Sequence, residues 1–140
     1  MRSTARFPVI AAYAVGVLLP TLETVRRGPG HWRISVATMF EDYVAGLLLL
    51  LAAVAASRAR PHAPALLLAA WAYVTGMMSS SFWYQLEATL RGADLEPDHL
   101  TVLAVKLLLW ATCLAGSVLS LRQVAGRSRR DASSRDGDLP

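Results

Sequence analysis

Residues 63–86 read APALLLAAWAYVTGMMSSSFWYQL, a run of twenty-four positions without one charged side chain. As an α-helix rising 1.5 Å per residue, this run is about 36 Å long, enough to cross the roughly 30 Å hydrocarbon core of a bilayer. Inside lipid a backbone must satisfy its own hydrogen bonds, so a spanning run of this kind is helical. Three further runs flank it. Residues 7–25 form one, with Glu23 at the headgroups, and residues 39–56 form another around the apolar centre Leu47 to Leu51. Residues 100–121 form the last, interrupted once by Lys106. The connections carry helix-ending residues: Arg27-Gly28-Pro29-Gly30, then Arg60-Pro61-His62-Ala63-Pro64, then Gly92 and Pro97. The expectation is an all-α, four-helix transmembrane bundle with short loops over residues 1–121. Residues 122–140, rich in Arg, Ser, Asp and Gly, have too few apolar side chains to build a core and read as a disordered basic cytoplasmic tail.

Composition agrees. Apolar residues make up 54% of the 140 and charged residues 17%, a balance seldom seen in water-soluble domains. The basic character, with an isoelectric point near 9.8, suggests nucleic acid at first sight. No aromatic or glycine pattern of a nucleic-acid module interleaves with the arginines, so none is expected as a partner. The bilayer is the expected partner. Thirteen Arg against the single Lys106, with abundant Ala and Leu, is the usage of a GC-rich bacterial genome. One cysteine, Cys113, excludes an internal disulfide and dithiol redox chemistry within one chain.

Positive charge collects on the cytoplasmic side of membrane proteins. With four spans, Arg2, Arg6, Arg58, Arg60, Arg122, Arg127, Arg129, Arg130 and Arg135 share one side, against Arg26, Arg27, Arg33 and Arg91 on the other. Both termini are therefore expected in the cytoplasm of a cell whose inner membrane holds the chain. Arg2 and Arg6 before an apolar stretch also resemble the start of a signal peptide, but Pro-Thr-Leu-Glu follows Leu19 in place of a small-residue cleavage site, so the first span is expected to remain.

Candidate chemistry lies in the outer half. Lys106 falls about 9 Å inside the fourth span. Charge there is costly, and the side chain either snorkels to the headgroups along its four-carbon stem or faces the bundle with a partner. Glu41 and Asp42 open the second span at a similar depth. Thr38-Met39-Phe40-Glu41 fits a capping box, which assigns Glu41 to the helix start and leaves Asp42 as the better partner for Lys106. His99, Lys106, Cys113 and Ser120 recur every seven residues and so share one stripe, polar above and a small-residue packing seam below. Matching stripes run through Tyr13, Gly16, Pro20 and Glu23, and through Tyr73, Gly76, Met77, Ser80, Tyr84 and Glu87. Turned inward, they place Glu23, Glu41, Asp42, Tyr84, Glu87, His99 and Lys106 around one outward-facing pocket. Trp83 and Tyr84, however, more often mark an interfacial aromatic belt.

Metal and haem sites are not expected, because His62 falls on the opposite side from His31 and His99. No hydrolase or kinase motif and no phosphate-binding glycine loop occurs, and neither a cofactor nor a catalytic residue is expected. Small multidrug transporters resemble the chain in length and span number alone. Their membrane-embedded Glu in the first helix has no counterpart, since Glu23 sits at that helix's outer edge. Three functions remain open: binding or transport of a small polar or ionic ligand, an accessory subunit docking through small-residue seams, and an enzyme acting on a lipid or quinone. Four short helices enclose little volume, so a homo-oligomer or a membrane partner subunit is expected.

Overall fold

The computed structural model describes residues 6–28, 30, 36–92 and 98–136, without the side chains of Thr38 and of residues 130–136. Four helices run in chain order: α1 (Phe7–Arg27), α2 (Val36–Ser57), α3 (Ala63–Leu90) and α4 (His99–Asp136). Each holds a stretch long and apolar enough to cross a membrane. The chain is an all-helical transmembrane four-helix bundle.

Polar pairs fix the directions. Tyr13 near the start of α1 meets Ser57 at the end of α2, with hydroxyls 3.1 Å apart, and Thr24 meets Tyr43 at 2.8 Å near the other end of that pair. Thr75 with Ser117 at 3.0 Å, and Trp110 Nε1 donating to Ser79 Oγ at 2.8 Å, make α3 and α4 antiparallel in the same way. The two hairpins close into a ring: α2 packs on α3 and α1 on α4, while among the described residues α2 and α4 lie diagonally and do not touch. One end of the bundle therefore carries the α1–α2 and α3–α4 connections, here termed the loop end. The other, the terminal end, carries the start of α1 and the α2–α3 connection.

Small residues draw the helices together from the middle of the bundle toward the terminal end. A Cβ on Gly46 would lie 2.5 Å from the carbonyl oxygen of Gly16 and 3.0 Å from Cδ of Pro20, so α1 and α2 meet backbone to backbone. Pro20 has no N–H to offer the carbonyl four residues earlier, which is that same Gly16 carbonyl. The helix nonetheless continues through Pro20. Across the bundle a Cβ on Gly116 would lie 2.5 Å from the indole of Trp71, which is fully buried. Trp71 Nε1 donates to the backbone oxygen of Pro8 at 3.2 Å, so one side chain of α3 joins α4 and α1. Ala12, Val15, Leu49, Ala53, Leu67, Val74 and Cys113 complete this core.

Three expectations change. The fourth helix runs on to Asp136, so residues 122–136 are helical and not a disordered tail; this stretch, too polar for a core, still contains Arg, Gln and Ala, which favour helix, and has no proline before Pro140. Arg127 Nη1 donates to the Pro61 carbonyl at 3.3 Å and ties this extension to the α2–α3 connection. The third helix continues past residue 86 through Glu87 to Leu90, because a charge ends an apolar run without ending a helix; Gly92, at φ 64°, follows its end. Finally, α2 is already helical at Val36, which puts Thr38 inside the first turn and removes it as the N-cap of a capping box with Glu41. The Thr38 side chain itself lies outside the described residues.

Candidate functional site

At the loop end the small residues give out and the helices separate around a cavity of about 540 Å³. All four contribute. Leu19, Leu22, Glu23, Arg26 and Arg27 come from α1, Glu41 and Asp42 from α2, Met77, Met78, Ser80, Ser81, Tyr84 and Gln85 from α3, and Thr101, Val102, Val105, Lys106 and Leu109 from α4. Five of the seven residues expected at a pocket thus share one cavity: Glu23, Glu41, Asp42, Tyr84 and Lys106. Local helical geometry explains the selection. Leu19, Glu23 and Arg26 recur at intervals of four and three on α1, as do Met77, Ser81 and Gln85 at intervals of four on α3, and such spacings share one face of a helix.

Lys106 turns inward. Its Nζ donates to the backbone oxygen of Ser81 at 3.4 Å and to Oε1 of Gln85 at 3.5 Å. Both distances lie beyond the usual 2.7–3.2 Å range of N–H···O bonds, and both acceptors are neutral. The expected pairing of Lys106 with Asp42 is absent among the described residues, because their helices are diagonal in the bundle and the cavity lies between them. Glu23 is engaged instead by Arg27, one turn along α1. The seven-residue stripe on α4 does face inward: His99 and Lys106 are half-buried, while Cys113 and Ser120 are fully buried.

Two expected pocket residues lie elsewhere. Glu87 pairs with Arg91 on the exposed side of α3, beside Trp83, Leu86 and Leu90. It falls ten residues after Met77, nearly three turns, by which point the straight stripe has rotated off the cavity. His99 is half-buried at the start of α4 and does not line the cavity. The α3 stripe also fails to turn inward as a whole, since Tyr73 and Gly76 are exposed. Trp83 is exposed too, and packs against Phe82 and Trp110 with ring centroids 5.2 and 6.2 Å apart.

Ser81, Gln85, Arg26 and Arg27 were missed from sequence. The arginines read as charges that set topology. The other two carry a usable signal, a polar pair four residues apart closing an apolar run on the helix that must lie beside Lys106. Among the described residues no cluster of His, Cys, Asp and Glu suits a metal ion.

No protein-family model, curated protein or solved structure matches the chain.

Proposed function

We propose that this protein binds a small polar or ionic ligand in the loop-end cavity and carries it across the bilayer. The observation that supports this reading is the convergence of Glu23, Asp42, Tyr84 and Lys106, from four different helices, on one cavity of about 540 Å³. Ligand pockets typically fall between roughly 300 and 1,000 Å³ and combine apolar walls with a few converging polar groups. Among the described residues Lys106, half-buried within a membrane span, is held by two neutral acceptors at long distance, and a charge placed there at such cost supports a functional role. The arginine distribution supports an orientation with both termini in the cytoplasm of a bacterial inner membrane and the cavity facing outward. The basic helical extension of α4 then stands among cytoplasmic headgroups.

The test is uptake by proteoliposomes offered a pooled panel of labelled amino acids, quaternary amines and small carboxylates. Lys106→Met should abolish uptake of whichever compound the wild type accumulates while leaving monodisperse, folded protein. Unchanged uptake in that variant would overturn the proposal.

One observation favours a second reading, an accessory or self-associating subunit. The Ala12–Gly16 and Gly116–Ser120 seams are consumed inside the chain, but Ala72 and Gly76 are exposed, and a Cβ on Gly76 would meet nothing within 4 Å. Small residues on a lipid-facing helix surface let another helix approach closely. This reading predicts a stoichiometric partner, or a second copy, in mild-detergent pull-downs that Gly76→Ile abolishes. The enzyme reading has less support, because His99, its proposed acid–base group, is not among the residues that line the cavity with Glu41 and Asp42.

A further inference from the structure

The charges of the cavity define its ligand more narrowly than polar or ionic. Three cationic side chains, Arg26, Arg27 and Lys106, face three anionic ones, Glu23, Glu41 and Asp42. Glu23 and Arg27 neutralise each other within α1. Arg26 and Glu41 are exposed, at the rim of the cavity. Two half-buried charges remain, Lys106 on α4 and Asp42 on α2, and among the described residues neither has an oppositely charged side chain in direct contact. Among the described residues the backbones of their helices do not approach each other, and both side chains line the cavity that lies between them.

A simple anion would compensate Lys106 and leave Asp42 as it is, and a simple cation would do the reverse. A molecule carrying both charges compensates both. The remaining lining from Leu19, Met77, Met78, Val105 and Leu109 is apolar and offers burial to a hydrocarbon portion. We infer that the ligand is a zwitterion with an apolar body, its oxyanion set against Lys106 and its ammonium group against Asp42. The inference rests on the binding function proposed above and specifies its substrate class. The same chemistry is found in a free amino acid with an apolar side chain and in a zwitterionic lipid headgroup.

Calorimetric titration of the purified protein in dodecyl maltoside, an uncharged detergent, separates these cases with four probes: leucine, dihexanoylphosphatidylethanolamine, hexylammonium and hexanoate. At least one of the first two should bind about tenfold tighter than both singly charged probes. Tight leucine binding identifies a free zwitterion as the source, and tight binding of the short-chain lipid identifies a headgroup. Lys106→Met should shift the preference to hexylammonium and Asp42→Asn to hexanoate, a reversal that partial unfolding would not produce. If the wild type takes a singly charged probe as tightly as either zwitterion, the inference is overturned and the binding function stands. If it takes none of the four, the inference is likewise overturned, and the binding function is judged separately by the effect of Lys106→Met on proteoliposome uptake.

Discussion

The two halves of the bundle are built from the same four helices and behave as opposites. Toward the terminal end, glycine and alanine let backbones touch, and Trp71 fills what space remains. Toward the loop end the same helices carry Glu23, Asp42, Tyr84 and Lys106, and they enclose a cavity. Lipid tails are as apolar as leucine, so association of helices in a membrane draws on close packing and hydrogen bonds more than on hydrophobic burial. A bundle can therefore be held firmly at one end and left open at the other. On the proposed function, stability belongs to the packed half and ligand chemistry to the open half, and substitutions can test that division.

The largest effect should follow from Trp71→Ala. This removes the only side chain seen to join α1, α3 and α4 among the described residues, together with its hydrogen bond to Pro8. Truncation of a fully buried tryptophan costs about 4 kcal/mol in soluble cores. A loss of that order is expected in a denaturant titration of the protein in maltoside micelles. A loss under about 1 kcal/mol would mean that the terminal half does not carry the stability of the bundle.

A smaller effect, near 2 kcal/mol, is expected from Gly46→Ala, because the new Cβ meets the Gly16 carbonyl, a backbone atom with nowhere to move. Gly76→Ala is its control. There the added methyl meets nothing within 4 Å, so the higher helix propensity of alanine should raise stability by up to about 1 kcal/mol. Equal losses at the two positions would remove the α1–α2 contact as an explanation.

The sign reverses again at Ser120. Its hydroxyl is fully buried and, among the described residues, makes no hydrogen bond. Ser120→Ala should stabilise the protein by about 1 kcal/mol, the cost of a buried polar group left unsatisfied. A loss of stability on the same titration would show that the hydroxyl has a partner.

The two halves were not equally legible in the sequence. Apolar runs and their Gly and Pro punctuation mark all four spans, and the seven-residue stripe through Cys113 and Ser120 marks the buried face of α4. Periodicity reports which face turns inward, so it worked where packing decides. It did not report which helices are diagonal, and so it paired Lys106 with Asp42 across the bundle. Nor could it distinguish Gly46, pressed against Gly16, from Gly76, which faces outward, since both are single glycines in apolar runs. Contacts between helices depend on crossing geometry, which one chain's periodicity does not encode. The end of the fourth span misled for a related reason: apolar content tracks the membrane boundary, while α4 extends beyond it on helix propensity.

The smallest expected effect is the one that sharpens the comparison most. Lys106→Met removes a half-buried charge whose two hydrogen bonds are long, and replacing such a group with an apolar one of similar volume is often neutral or stabilising. Asp42→Asn removes a carboxylate that, among the described residues, holds no ion pair. Because, among the described residues, Lys106 and Asp42 form no ion pair and the backbones of α2 and α4 do not approach each other, the two substitutions should be nearly additive in the ligand-free protein, with a coupling below about 0.5 kcal/mol in a double-mutant cycle. The same cycle repeated in saturating leucine or dihexanoylphosphatidylethanolamine should couple them by more than 1 kcal/mol, because one molecule then touches both charges. Coupling that is already large without ligand would show that the open half closes on itself through a Lys106–Asp42 contact. The cavity would then be a packing defect between two paired charges, and the division of labour between the halves would fail.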